Sequence, residues 1–291
     1  MHLSELAKSG EFIITCELAS PKGVNVQDFL DQADQLKSYI HAISIGDNPR
    51  ATMRAGSWAM CHLLKSRDIE PIMELATRDR NRIALQSDML GAAILGIENI
   101  ILSDGHDPSV GDHTEATRVQ DLNCISLAGA AKTLAGGHDM TGHALDGTPS
   151  LCLGITANPG LEPLEKQLDT IKEAVAQGAQ FIQTQPVYDP AVLERFVDSI
   201  YNLDVTIIVG HMMLKSVSMA SFINSNLEGV TVPDAMMKQL EGQPRNIAVE
   251  TSLQMSTNLI KTIRPLCHGI HFIPASWERY VPRIIEALTD R

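Results

Sequence analysis

Ten polar side chains stand at or just past the ends of short apolar runs: Glu17, Asp47, Asn48, Glu74, Asp104, His106, Thr156, Asn158, Gln185 and His211. A buried strand has no packing use for a carboxylate, an amide or an imidazole at its end, so the recurrence marks a shared working surface. Carboxyls such as Glu17 and Glu74 can deliver or accept a proton. An imidazole, the side chain of His106 and His211, ordinarily titrates near neutral pH. The amides of Asn158 and Gln185 each offer a donor and an acceptor, which suits the edge of a planar heterocycle.

The runs that carry these residues are rich in β-branched and aliphatic side chains: Phe12–Glu17, Ala42–Ile45, Glu70–Leu75, Asn99–Leu102, Leu151–Thr156, Phe181–Gln185, Val205–His211 and Gly269–Ile273. Segments with apolar residues at helical spacing lie between them, so the order reads β-α eight times over. Leu164, Leu168, Ile171 and Val175 form one such helical stripe, stopped by Gly178 before the strand at Phe181. From Arg80 to Leu95 a second helix is predicted, with Ile83, Leu90 and Ile94 on its apolar face. Arg245 to Arg264 and Trp277 to Leu288 are the last two helical candidates. The alternation predicts an α/β chain folded as one (β/α)8 barrel, a TIM barrel, over residues 1–291. In such barrels chemistry gathers at the C-terminal strand ends, where the ten polar residues fall.

Composition narrows the function. With 44% hydrophobic and 20% charged residues the chain has the make-up of an ordinary globular protein. A net charge of −12 disfavours nucleic acid and anionic membrane surfaces as partners. No apolar run of about 18 residues is present to span a bilayer. Met1 to Gly10 lacks the apolar core of a secretory signal, and the five cysteines are scattered, which predicts reduced thiols in a cytoplasmic protein. No Gly-rich dinucleotide or P-loop motif follows a strand, so a nicotinamide would have to bind in the barrel mouth. His138, Asp139, His143 and Asp146 are too loosely spaced for a metal site, and no metal is expected. His268 and His271 bracket the eighth strand and are expected to be hydrogen-bonded structural residues.

Several stretches in order along nearly the whole chain resemble the methylenetetrahydrofolate reductase family. They are Thr15-Cys16-Glu17 with Pro21, Thr77-Arg78-Asp79-Arg80, Leu95-Gly96-Ile97-Glu98-Asn99-Ile100, Gly111-Asp112-His113, Asn158-Pro159, and Gly178-Ala179 leading into Thr184-Gln185-Pro186-Val187-Tyr188-Asp189. The last run is the most specific. The resemblance implies reduction of 5,10-methylenetetrahydrofolate to 5-methyltetrahydrofolate by NAD(P)H, in most relatives through FAD. Opening the one-carbon ring needs an acid, and the resemblance places Glu17 at the family's acid position. It places Gln185 at a folate-contacting glutamine. His106, Asn158 and His211 are further substrate-binding candidates, while Thr184 and Tyr188 are expected to be structural.

The chain departs from the family pattern where the cofactor would lie. Gly105-His106 replaces a Gly-Asp pair, with Asp104 before it; Glu74 replaces a His or Gln; and the helix after strand five keeps Lys172 but follows it with Glu173. Glu74, Thr77, Asp104, Gly105, Thr156 and Lys172 are the cofactor-contact candidates. Two routes stay open, one through FAD and one by direct hydride transfer. The alternative is a methyltransferase or a folate-binding subunit of a one-carbon complex. Lys22, Arg50, Arg78 and Lys215 are cations that could meet anionic ligands, although a solvated surface charge is the commoner role. Self-association or an electron-delivering subunit is compatible with the sequence. The chain's end at Arg291, soon after the eighth helix, predicts a short form without a fused regulatory domain.

Overall fold

Strand β1 (Ile13–Glu17) follows a short helix α1 (Leu3–Lys8), and from there strand and helix alternate in a computed structural model that describes residues 1–289. The sequence continues through α2 (Gln27–Leu36), β2 (Ala42–Ile45), α3 (Ser57–Lys65), β3 (Pro71–Ala76), α4 (Arg82–Ile94) and β4 (Asn99–Ser103). Next come α5 (Cys124–Ala135), β5 (Cys152–Ala157), α6 (Glu165–Ala176), β6 (Ala179–Pro186), α7 (Pro190–Ser199) and β7 (Thr206–Met212). Three helices, α8 (Val217–Asn226), α9 (Asp234–Leu240) and α10 (Arg245–Ile263), precede β8 (Gly269–Ile273), and α11 (Val281–Thr289) follows it. The eight strands pair in parallel, in sequence order, and β8 closes on β1. The fold is the (β/α)8 barrel that the sequence predicts, with strand bounds shifted by no more than about two residues.

Alternation along each strand sorts the side chains into two layers. Ile43, Met73, Ile100, Ile182, Val209 and Phe272 point outward and form the large core with the helices. Ile13, Ile72, Ile101, Phe181 and Ile208 point inward and fill the floor of the barrel, where Leu3 of α1 joins them as a plug. The plug is pinned by polar contacts: Leu3 N–H donates to Asn99 Oδ1 at 3.0 Å, and the Asn99 amide donates to Met1 O at 2.8 Å and Glu70 Oε1 at 3.0 Å. Phe181 fills the axis only because its neighbour on β5 is Gly154, where a Cβ would come within 2.3 Å of the ring.

Helix α4 corrects the predicted face. Its buried residues are Leu85, Met89 and Ala92, whereas Ile83 and Ile94 are 74% and 84% exposed. Two apolar stripes at helical spacing run along this helix, and periodicity alone cannot say which meets the core. Asn81 starts α4 by accepting from Ile83 N–H and Ala84 N–H, both at 3.1 Å. Among the described residues no helix is long and apolar enough to cross a membrane.

Candidate active site

The site is built by the inward positions near the tops of the strands. Around the barrel the hydrogen-bonded rows descend by about one residue per strand, the stagger usual for eight strands. Following the registers at that stagger carries Glu17 of β1, Glu74 of β3, Thr156 of β5 and Gly210 of β7 to one level. One level below lie Ser44, Gln183 and His271; one level above lie Gly46, Ser103 and Gln185. The barrel is therefore apolar at its floor and polar from its middle upward. His271 is fully buried there and bonded to Thr15 Oγ1 through Nδ1 at 2.8 Å; burial pulls its pKa down to about 3 and keeps it neutral. His268, at the foot of β8, accepts the Ile207 N–H at 3.0 Å. Both histidines hold structural bonds.

Glu17 and Glu74 are partly buried carboxyls on the inner wall. Burial raises the Glu17 pKa first, and the charge of Glu278, from the turn after β8, raises it further. Burial likewise lifts Glu74 to about 7, with the charges of Asp47 and Glu17 adding to the rise and a hydrogen bond from Ser103 opposing it. Glu278 was not singled out by the sequence; it lies beyond a strand in a turn with left-handed residues Ala275 and Ser276, and no motif marks it.

The other carboxylates near the mouth hold the scaffold. Asp47, buried at the end of β2, accepts from Ala76 N–H at 3.0 Å and pairs with Arg80 at 2.6 Å. Arg80 also reaches Asp88 at 2.8 Å. Arg78 is buried, grips Asp79 with two nitrogens at 2.7 and 2.6 Å, and donates to the carbonyls of His106 and Asn48. It thus ties the loops after β2, β3 and β4 together and is no free surface charge.

A two-lobed cleft opens over β4, β5 and β6, with volumes of about 370 and about 490 Å³. His106, Thr156, Gln167 and Gln185 line both lobes. Thr156 and Gln185 are exposed in it, so three strand-end residues chosen from sequence, His106, Thr156 and Gln185, do meet. Burial and the charges of Arg50 and Arg78 lower the His106 pKa, which leaves a neutral imidazole at neutral pH. Asn158 lines one lobe, but its amide donates to Glu228 O at 2.7 Å and accepts from Gly160 N–H at 3.3 Å, so it shapes the rim. Gln167, from α6, joins the lining and was not foreseen, because a glutamine on a helix gives no sequence signal.

The remaining candidates are placed elsewhere or already engaged. His211 alternates with inward Gly210 and faces outward, its ring edge-on to Tyr188 and Phe272 at 6.4 and 6.1 Å. It is a core residue, not part of the mouth, because the strand's last residues add an outward position that end-counting does not distinguish. Tyr188 donates to Met212 O, and Thr184 bridges the Gln185 carbonyl and the Gly210 N–H. Lys172 is exposed on α6, absent from the cleft lining, with Asp169 at 3.9 Å. Thr77 is buried and donates to Asp104 at 3.4 Å; Asp104 in turn accepts the Cys124 N–H at the start of α5 at 2.7 Å. Gly105 turns with a left-handed φ of +70°, packed against Arg78.

These engagements bear on FAD, the cofactor that the sequence resemblance implies. A resident dinucleotide needs its pyrophosphate neutralised by cations or by free helix N–H groups. No Lys or Arg lines either lobe, while Asp104 and Glu228 do, and the first N–H of α5 is taken by Asp104. The residues of the cleft do not fit a tightly held FAD.

The sequence profile described as methylenetetrahydrofolate reductase matches residues 2–289. The chain belongs to the methylenetetrahydrofolate reductase family. A curated member, methylenetetrahydrofolate reductase 2 of Schizosaccharomyces pombe, is 24% identical over 214 residues, covering 66% of this chain and 31% of that protein. The chain thus spans about a third of that relative's length. Among solved structures, an uncharacterized protein from Clostridium thermocellum that binds two copies of 5-methyl-5,6,7,8-tetrahydrofolic acid superposes with a TM-score of 0.61 at 17% identity, over 99% of this chain and 98% of that one. EDTA monooxygenase from Chelativorans sp. BNC1 superposes at 0.59 with 11% identity, over 96% and 93% of the two chains. At these identities the two structures are likenesses of fold.

Proposed function

We propose that this member of the family reduces 5,10-methylenetetrahydrofolate to 5-methyltetrahydrofolate with a dihydronicotinamide, and that Glu17 is the acid that opens the one-carbon ring. The observation that carries this reading is a family acid position filled by a carboxyl on the barrel's inner wall, where burial favours its protonated form. Protonation of one ring nitrogen releases its bond to the one-carbon unit and leaves an exocyclic iminium, which then accepts hydride. Glu17, once ionised, also faces the cation it has created.

The folate belongs by this reading in the cleft beside Gln185, whose amide can pair with both donor and acceptor atoms on a pterin edge. Neutral His106 and the hydroxyl of Thr156 line the same space. The hydride donor is taken to be the nicotinamide itself. A substrate at micromolar or weaker affinity can leave its phosphates in water at an open rim, whereas a resident flavin has to survive dilution. Exposed Arg50, whose charge reaches His106, is the cation proposed to meet those phosphates. Glu17→Gln is expected to lower methylenetetrahydrofolate-dependent NAD(P)H oxidation at least about 100-fold. Turnover within a few-fold of the unaltered protein would remove Glu17 from the role.

A folate-binding subunit without redox activity is the second reading, favoured by the Clostridium thermocellum neighbour, which is described by its bound 5-methyl-5,6,7,8-tetrahydrofolic acid. Binding of that ligand with no oxidation of NADH or NADPH in the presence of methylenetetrahydrofolate would select it.

A further inference from the structure

The levels of the barrel bring two carboxyls to the same height on alternate strands. Glu17 and Glu74 occupy the same level on β1 and β3, and the strand separating them, β2, contributes Ser44 below and Gly46 above. Gly46 has no side chain to part them. Glu74 has moved into that space, since a Cβ on Gly46 would lie 3.3 Å from Glu74 Oε2. The carboxyl of Glu74 therefore lies against Gly46 of β2, and the charge of Glu17 acts on it.

We propose that Glu17 and Glu74 act as one proton-sharing pair across Gly46, with Glu74 as the positioning residue that holds Glu17 in its acid form. The inference rests on the reductase reading of the site and deepens it. Two carboxyls confined in a partly dehydrated space cannot both ionise cheaply, so the pair keeps one proton to higher pH than either group alone. The surrounding charged side chains act in the same direction or are already paired. Asp47, facing Glu74 from the end of β2, is negative and committed to Arg80. Glu278 faces Glu17 from the β8 turn and is itself faced by Lys215. Arg78, whose charge reaches Glu74, is held by Asp79. The hydrogen bond from Ser103 to Glu74 acts the other way, favouring its carboxylate.

The pair supplies the one proton that ring opening needs and is reloaded from solvent. Glu17 gives its proton to the ring nitrogen, and the carbon–nitrogen bond breaks with its electrons on that nitrogen. Both carboxyls are then ionised, facing the iminium cation, until hydride quenches that cation and solvent returns one proton to the pair. Hydride reaches the iminium carbon from the dihydronicotinamide, which leaves as the oxidised pyridinium.

The test combines infrared titration with pH profiles. In the unaltered protein, the carboxylic-acid carbonyl band lost between about pH 5 and about pH 9 should contain one proton that Glu74→Gln and Glu17→Gln each remove. For kcat/KM, Glu74→Gln should keep the acid-side plateau but shift the alkaline limb down by about one pH unit or more, because Glu17 loses a like charge beside it. Gly46→Ala, which pushes the Glu74 carboxyl aside, should shift the limb in the same direction and serves as the reading if Glu74→Gln does not fold. An alkaline limb unmoved in the folded variants, or no shared proton in the infrared spectrum, overturns the pair. A shared proton together with full turnover by Glu17→Gln would instead overturn the reductase reading while leaving the pair intact.

Discussion

At the scale of single residues, burial decides protonation more than neighbouring charge does. His211 is enclosed between Tyr188 and Phe272 with neither ring nitrogen hydrogen-bonded, and burial lowers its pKa to about 4. In the unfolded chain it would titrate near the usual value of about 6.5. The unfolded state therefore binds the extra proton, so the stability tied to neutral His211 is present above about pH 6.5 and is lost as the pH falls toward 4. The loss should approach about 3 kcal/mol at the acid end. His211→Phe should flatten this part of a denaturant-midpoint titration; an unchanged slope would show that the buried imidazole does not govern it. The sequence located His211 at a strand end correctly but could not tell inward from outward. That depends on which residue of the strand begins the alternation, which is set by register with β6 and β8. Glu17, Glu74 and Gln185 fell on the inward parity and His211 on the other.

At the scale of elements, β-branched runs and glycine stops sufficed to place all eight strands, because each strand of a parallel barrel is buried on both faces and reads as a short apolar block. Helix faces were less legible. On α4 an exposed stripe through Ile83 and Ile94 mimics the buried one through Leu85, Met89 and Ala92. The plug α1 was invisible as such, since its role depends on Leu3 meeting the barrel floor and on Asn99 bonding across to Met1. Leu3→Ala should cost about 2–5 kcal/mol by leaving a cavity among Ile13, Ile72 and Phe181. Gly154→Ala should cost about 1–3 kcal/mol by forcing the Phe181 ring from the axis. Chemical denaturation of the two variants checks both, and wild-type stability in either would mean that the floor repacks freely.

At the scale of the whole molecule, an acidic protein of net charge −12 presents a two-lobed cleft without a lining cation to ligands that are themselves anions. Association with such ligands is slowed by repulsion that salt screens, so the KM for the reductant should fall as ionic strength rises toward the physiological range. The same shortage of cations leads to the expectation that protein incubated with FAD and then desalted retains no flavin band near about 450 nm. Arg50→Ala should raise the KM for NAD(P)H with little change in kcat, as expected for loss of a binding contact made equally in ground and transition states. The departures at Asp104, His106 and Glu74 were legible as residue types. What the sequence could not give was their engagement: Asp104 spent on the start of α5, and Glu74 lying against Gly46.

The most direct measurement is anaerobic turnover of 5,10-methylenetetrahydrofolate by the purified, flavin-free protein with NADH or NADPH, following the nicotinamide and the folate product together. The expected result is one 5-methyltetrahydrofolate formed per nicotinamide oxidised, with the rate lost in Glu17→Gln. Tight binding of 5-methyltetrahydrofolate with no oxidation of either nicotinamide, or turnover that appears only when FAD is added, would contradict the account.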